Sequence, residues 1–133
     1  MNGLITHFAP LFGRILLAVI FLFSGYNKIG VFAKTAQGMV QHGVPMAKVL
    51  LVITIIIEIA GALMIIVGWR ARLAASLLFL WMIPVTLLYH NFWAMPAAQQ
   101  HLQQIMFMKN LGLMGGLLML MAFGSGAMSL GKK

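Results

Sequence analysis

Acidic side chains are almost missing from this chain, which has one Asp or Glu against nine Lys and Arg, and cysteine is missing altogether. Without cysteine there are no disulfides, no thiol nucleophile and no thiolate metal site. Charged residues of both signs make up only 8% of the sequence, where a soluble domain carries about 25%. The hydrophobic share is 62% and the mean hydropathy +1.02. Too little polar side chain is present to cover a water-exposed surface, which excludes a soluble globular protein. The scarcity of His and acid also removes chemistry. No His or acid repeats at metal-ligand spacing, so no metal site is expected. No phosphate loop, nucleophile–base pair or facing pair of histidines of the haem kind is present, and whether the chain is an enzyme stays open.

What the chain does contain is apolar helix-length sequence. Four segments, at about 8–29, 48–69, 73–92 and 102–123, match the roughly 20 helical residues that cross a bilayer core of about 30 Å. Strands are excluded because an open sheet leaves backbone groups unpaired in lipid, and the short alternation of a membrane barrel is absent. The expected fold is a single all-α membrane domain over 1–133, an antiparallel bundle of four transmembrane helices. No basic segment precedes the first apolar run and Arg14 lies inside it, so it reads as a retained span rather than a cleaved signal. Between the first two spans, Phe32, Ala36, Met39, Val40 and Gly43 fall on one helical face and Lys34, Gln37 and Gln41 on the other. That pattern predicts a short interfacial helix. Pro45 suits the start of the second span, Pro96 a short helix before the fourth, and Pro84 a bend in the third.

The net charge of +8 fits contact with anionic lipid headgroups, and its scatter among apolar runs excludes a nucleic-acid partner. An even number of spans puts both termini on one side. Arg14, Arg70, Arg72, Lys132 and Lys133 fall on that side, against Lys28, Lys34, Lys48 and Lys109 on the other. The balance favours cytoplasmic termini. Methionines in the fourth span (Met106, Met108, Met114, Met119, Met121) read as flexible apolar filler rather than copper ligands.

The lone acid, Glu58, sits near the middle of LLVITIIIEIAGALMIIVG. A carboxylate there costs about 2.5–3.5 kcal/mol on insertion scales and is expected to face protein. Thr54, Gly61 and Ala62 share its face. Arg14, Ala18, Phe21, Gly25 and Lys28 form one stripe of the first span, and Lys109, Gly112 and Gly116 one face of the fourth. Depth reckoned from the span ends ranks Arg14 first as partner of Glu58, Lys109 second and Lys28 third. At the other end Tyr26, Lys28, His90 and Asn110 gather, a polar mouth for an anionic or quinone-like headgroup. An ordinary wet interface, with Lys28 a snorkelling anchor and His90 solvated, explains the same residues. The ligand-binding candidates are therefore Arg14, Glu58, Lys109, Lys28, Tyr26, His90 and Asn110.

These residues together resemble the DoxX family of four-span prokaryotic membrane proteins over nearly the whole chain. The likeness rests on GRILLAVIFLFSGYNKI, on GVPM before the second span, on Glu58 and on IVGWRAR after it. It continues through HNFW, MKNLGLMGGLLML and the tail GSGAMSLGKK. One departure is SGYNK, where relatives commonly carry proline or an apolar residue before the lysine. The resemblance implies a small inner-membrane protein of the enterobacterial type. For function it implies a subunit or accessory of a quinone-linked membrane redox system, with oxidoreductase subunits as partners and quinone as the cofactor it would handle. No cofactor is evident from the residues themselves. Two other readings stand beside it: a small-molecule or lipid carrier using Glu58 as a proton or cation site, and an assembly protein whose ion pair is structural. A homo-oligomer is compatible with each.

Overall fold

A computed structural model describes residues 2–131; Met1 and two of the basic residues counted above, Lys132 and Lys133, lie outside the described residues. The chain runs through α1 (Asn2–Gly30), α2 (Phe32–Gln41), α3 (Ala47–Val67), α4 (Ala71–Tyr89), a 3-10 turn (Phe92–Ala94) and α5 (Ala97–Phe123), with no strand among the described residues. Four of these helices, α1, α3, α4 and α5, are long and apolar enough to cross a membrane. The fold is the expected helical membrane bundle.

Two boundaries differ from expectation. Helix α1 begins at Asn2 rather than near Phe8 and continues through Pro10, which removes one backbone donor without ending the helix. Helix α5 is continuous from Ala97, with Pro96 as its N-cap, so no separate short helix precedes the fourth span. The stretch AAQQHLQQ contains no helix breaker, and nothing in it interrupts the first turns. Helix α4 likewise runs unbroken through Pro84. The interfacial α2 forms as expected, with Ala36 buried against the bundle, although Val40 is turned outward at 62% exposure.

The spans pack in the order α1, α3, α4, α5, and α2 lies over α3 and α1. In lipid there is no hydrophobic drive between helices, so close approach of small residues has to hold them. The core accordingly contains Ala18, Ala62, Ala71, Ala74 and Ala75, all fully buried, around Leu78, Ile65 and Leu117. Gly61 packs on Leu78, and at Gly25 a Cβ would come within 2.6 Å of Ile59 Cγ1 and 3.2 Å of Glu58 Cβ. That contact fixes the register of α1 against α3. Helices α1 and α5 are not packed along their length; they meet where Leu17 lies over Gly116, 3.3 Å from where a Cβ would stand.

At the end carrying the termini, the segment after α5 turns back over α3. Helix α3 ends with Gly68 left-handed (φ 75°), Gly68 N–H donating to Ile65 O at 3.1 Å and Trp69 N–H to Met64 O at 2.9 Å. This is the paired closure that a left-handed glycine permits. The next carbonyls are met by the tail, Leu130 N–H donating to Val67 O at 2.9 Å and Gly131 N–H to Gly68 O at 3.0 Å. Ser125, buried, directs its hydroxyl to Gly68 O at 3.4 Å.

At the start of α3, Met46 has φ 51° and is 71% exposed. A left-handed non-glycine residue carries about 1–2 kcal/mol of steric cost. Met46→Gly is therefore expected to raise the melting temperature in detergent, with a net gain of about 0.5–1 kcal/mol after glycine's greater unfolded-state entropy is counted. An unchanged or lower melting temperature would refute strain at this turn.

Candidate functional site

Glu58, on the middle of α3, is 1% exposed. Because α1 and α3 are in contact at Gly25, the charged residue nearest to it on α1 is Lys28, one turn further along. Its Nζ lies 2.8 Å from Glu58 Oε1 and donates to Ser24 Oγ at 2.5 Å. The ammonium reaches the carboxylate off the direction of a hydrogen bond, so the buried Oε1 has a charge contact and no hydrogen-bond partner. Lys28 Nζ also stands 5.8 Å from the centroid of the Trp81 ring, whose indole N–H donates to Thr54 Oγ1 at 3.1 Å. Trp81 meets Phe21 edge-on, ring centroids 6.5 Å apart. On the far side Asn110 Nδ2 donates to Thr86 Oγ1 at 3.0 Å, both side chains buried.

These groups surround a cavity of about 400 Å³ in the half of the bundle covered by α2. Its walls are mostly apolar, with Ile20, Phe21, Leu51, Trp81, Met82, Val85 and Leu113. Its polar lining is concentrated in Lys28, Glu58, Lys109, Asn110 and His90, and Thr35, Gly38 and Met39 of α2 lie over it. His90 is oriented by Gln103, Nδ1 to Oε1 at 2.7 Å, and Tyr89 is stacked on His42 at 4.1 Å between ring centroids, which ties α4 to the end of α2.

Five of the seven residues singled out in the sequence thus line one cavity: Glu58, Lys28, Lys109, His90 and Asn110. Arg14 and Tyr26 do not. Tyr26 is 68% exposed on the outside of α1. Arg14, expected first among partners of Glu58, is buried at the other end. Eleven residues separate it from Gly25, about 16 Å along the helix, more than an arginine side chain spans. There its guanidinium is enclosed by carbonyls: Nε donates to Ile65 O at 3.0 Å, Nη1 to Ser125 O and to Ala127 O at 3.1 Å, and Nη2 to Met128 O at 2.6 Å. A second cavity, of about 310 Å³, lies beside it between α1 and α5.

The face of α5 that carries Lys109, Gly112 and Gly116 was expected to turn into the packed core. It lines the gap towards α1 instead. The side of α5 packed on α4 holds Asn110, Leu117 and Leu120. Ser24, Trp81 and Thr86 were not singled out from the sequence. Ser24 stands four residues before Lys28 on the same helix, a spacing that could have indicated the contact. Trp81 is the tryptophan placed well inside a span rather than at its end.

Residues 9–91 match the DoxX family, a stretch that begins within α1, runs just past the end of α4 and includes Arg14, Lys28, Glu58 and His90. The chain belongs to the DoxX family. In Escherichia coli K12, inner membrane protein YqjF is 34% identical over 90% of this chain and 87% of its own length. Inner membrane protein YphA is 30% identical over 92% of this chain and 88% of its own length. No solved structure matches. Lys109 and Asn110 lie beyond the stretch matched by the family, so the cavity is completed by a helix outside that stretch.

Proposed function

We propose that this DoxX protein is an inner-membrane binding subunit that holds the polar head of a membrane-dissolved amphiphile beside the Glu58–Lys28 pair. The observation that carries the reading is the cavity itself, apolar along its walls and polar in the patch formed by Glu58, Lys28, Lys109 and Asn110. A preformed apolar site with a few converging polar groups is the usual form of a small-molecule pocket. Placing the termini in the cytoplasm, as the basic residues favour, puts the cavity in the outer half of the inner membrane.

A quinone head is a second occupant with a specific feature in its favour. Trp81 and Phe21 line the cavity as aromatic neighbours for a flat ring, and the lysine ammonium groups are donors for its carbonyls. In that case the protein serves a quinone-linked membrane redox partner as an accessory subunit. Both readings are tested by thermal unfolding of the purified protein in neutral detergent, titrated with a short-chain quinone and with lipids of different headgroups. A bound ligand at a hundredfold excess over its dissociation constant stabilises by about 2.7 kcal/mol, a readily measured rise in melting temperature. No rise with any of these would overturn the binding reading; a rise with quinone alone would select the redox-linked form.

A further inference from the structure

The charges around the cavity do not balance. The chain has a single Asp or Glu, and Lys28 already sits 2.8 Å from it. Lys109 lines the same cavity, and among the described residues no ion pair or hydrogen bond engages it. Taken with its lining, the site therefore carries one positive charge in excess, in a segment apolar enough to span a membrane. The hydrogen-bonding character leans the same way. Lys109 is a donor only, and Lys28 shares one donor with Ser24. A lone cation at membrane depth is costly and is expected to have a partner.

We propose that the partner is the anionic head of a single-charged amphiphile, a carboxylate or a phosphate diester, bound between Lys109 and Lys28 beside Glu58. The inference rests on the amphiphile reading above and adds the class of head. The gap between α1 and α5 gives the route for the chain. Ile20 on α1 and Lys109 and Leu113 on α5 bound the cavity there, and a Cβ at Gly112 would meet nothing within 4 Å. The head enters sideways from the leaflet, and its hydrocarbon lies along the Gly112 face of α5 as far as the Leu17–Gly116 contact. Lys109 sets the preference for charge, while the apolar walls accept any chain.

Trp81 lines the cavity and reports on its occupancy. With Trp69 and Trp93 replaced by Phe, quenching of Trp81 is measured for brominated probes in neutral detergent. The probes form two pairs matched in hydrocarbon: a brominated fatty acid against its monoacylglycerol, and brominated phosphatidylglycerol against its diacylglycerol. At least one anionic probe is expected to quench at a concentration lower than its matched partner by about tenfold, the effect of one charge-assisted contact. Lys109→Met should abolish the difference within the pair, and Lys109→Arg should retain it. Preference in the first pair assigns the carboxylate and in the second the phosphate diester. Equal quenching within both pairs, or a preference that survives Lys109→Met, overturns the anionic head while leaving the amphiphile reading in place. No quenching by any probe overturns both. Lys109 is exposed, so these variants fold, and melting of each without probe verifies it.

Discussion

Arg14→Ala is expected to detach the C-terminal tail and to cost on the order of 3–5 kcal/mol of stability. The arginine is 3% exposed and its donors meet carbonyls of Ile65, Ser125, Ala127 and Met128. Removing it strands two buried acceptors, on Ile65 and Ser125, and two part-buried ones, and a buried acceptor carries about 1–3 kcal/mol of desolvation penalty if left unmet. Part of this is recovered because the tail can move away and its carbonyls reach water. Ile65 O retains the Gly68 N–H, so its loss is partial. The absence of native cysteine makes the tail easy to follow. Ser125→Cys places a thiol at a site 2% exposed. Maleimide labelling should be slow with Arg14 present and fast in Arg14→Ala. Arg14→Lys should fall between them, since an ammonium cannot span acceptors fixed on two segments as a planar guanidinium does. Slow labelling in all three variants would show that the backbone bonds of Leu130 and Gly131 suffice to hold the tail.

The two ends of the bundle therefore use their buried charges differently. At one end a cation is enclosed by backbone carbonyls and joins α1 to α3 and the tail. At the other, a cation and a carboxylate meet beside an open volume. In the first arrangement the donors of the charged group are directed into backbone carbonyls around it. In the second, Oε1 of Glu58 lacks a hydrogen bond and Lys109 lacks a counter-ion among the described residues. Unmet polar capacity next to empty space is what distinguishes a binding site from a structural clamp.

Hydropathy and periodicity made the four spans, the interfacial helix and the inward stripe of α1 legible. Arg14, Ala18 and Phe21 are all buried, because a 3.6-residue period determines which residues share a face wherever the helix ends. Depth is another matter. Ranking Arg14 above Lys28 assumed a first span beginning near Phe8, and the register of two antiparallel helices is set by a contact, Gly25 on Ile59, that no single helix reveals. The same limit applies to α5. It packs chiefly on α4 through Asn110, Leu117 and Leu120, and the small residues of the Lys109–Gly112–Gly116 face pointed to the wrong side. The tail was visible only as part of the family likeness; that it completes the end of α3 follows from tertiary contacts alone.

Glu58→Gln is expected to destabilise the protein by about 3 kcal/mol, towards the lower end of the range for breaking a buried pair, because Lys28 is 24% exposed and can turn towards the interface. Lys28→Met should cost more than this, since Glu58 is 1% exposed and its carboxylate cannot turn out to the interface as the lysine can. The double variant Glu58→Gln, Lys28→Met removes both charges and should recover part of the loss, giving a coupling energy of about 1–3 kcal/mol in denaturant unfolding. The decisive comparison is with Arg14. Residues this far apart, with no shared partner, behave additively within about 0.5 kcal/mol, so Glu58→Gln combined with Arg14→Met should show no coupling. Coupling to Arg14 and none to Lys28 would reverse the register derived from Gly25. Coupling to Lys28 alone establishes the pair, and the amphiphile titrations can then be repeated in the double variant. Loss of binding there, with stability recovered, would show that the pair serves the ligand; retained binding would leave it as a connection between α1 and α3.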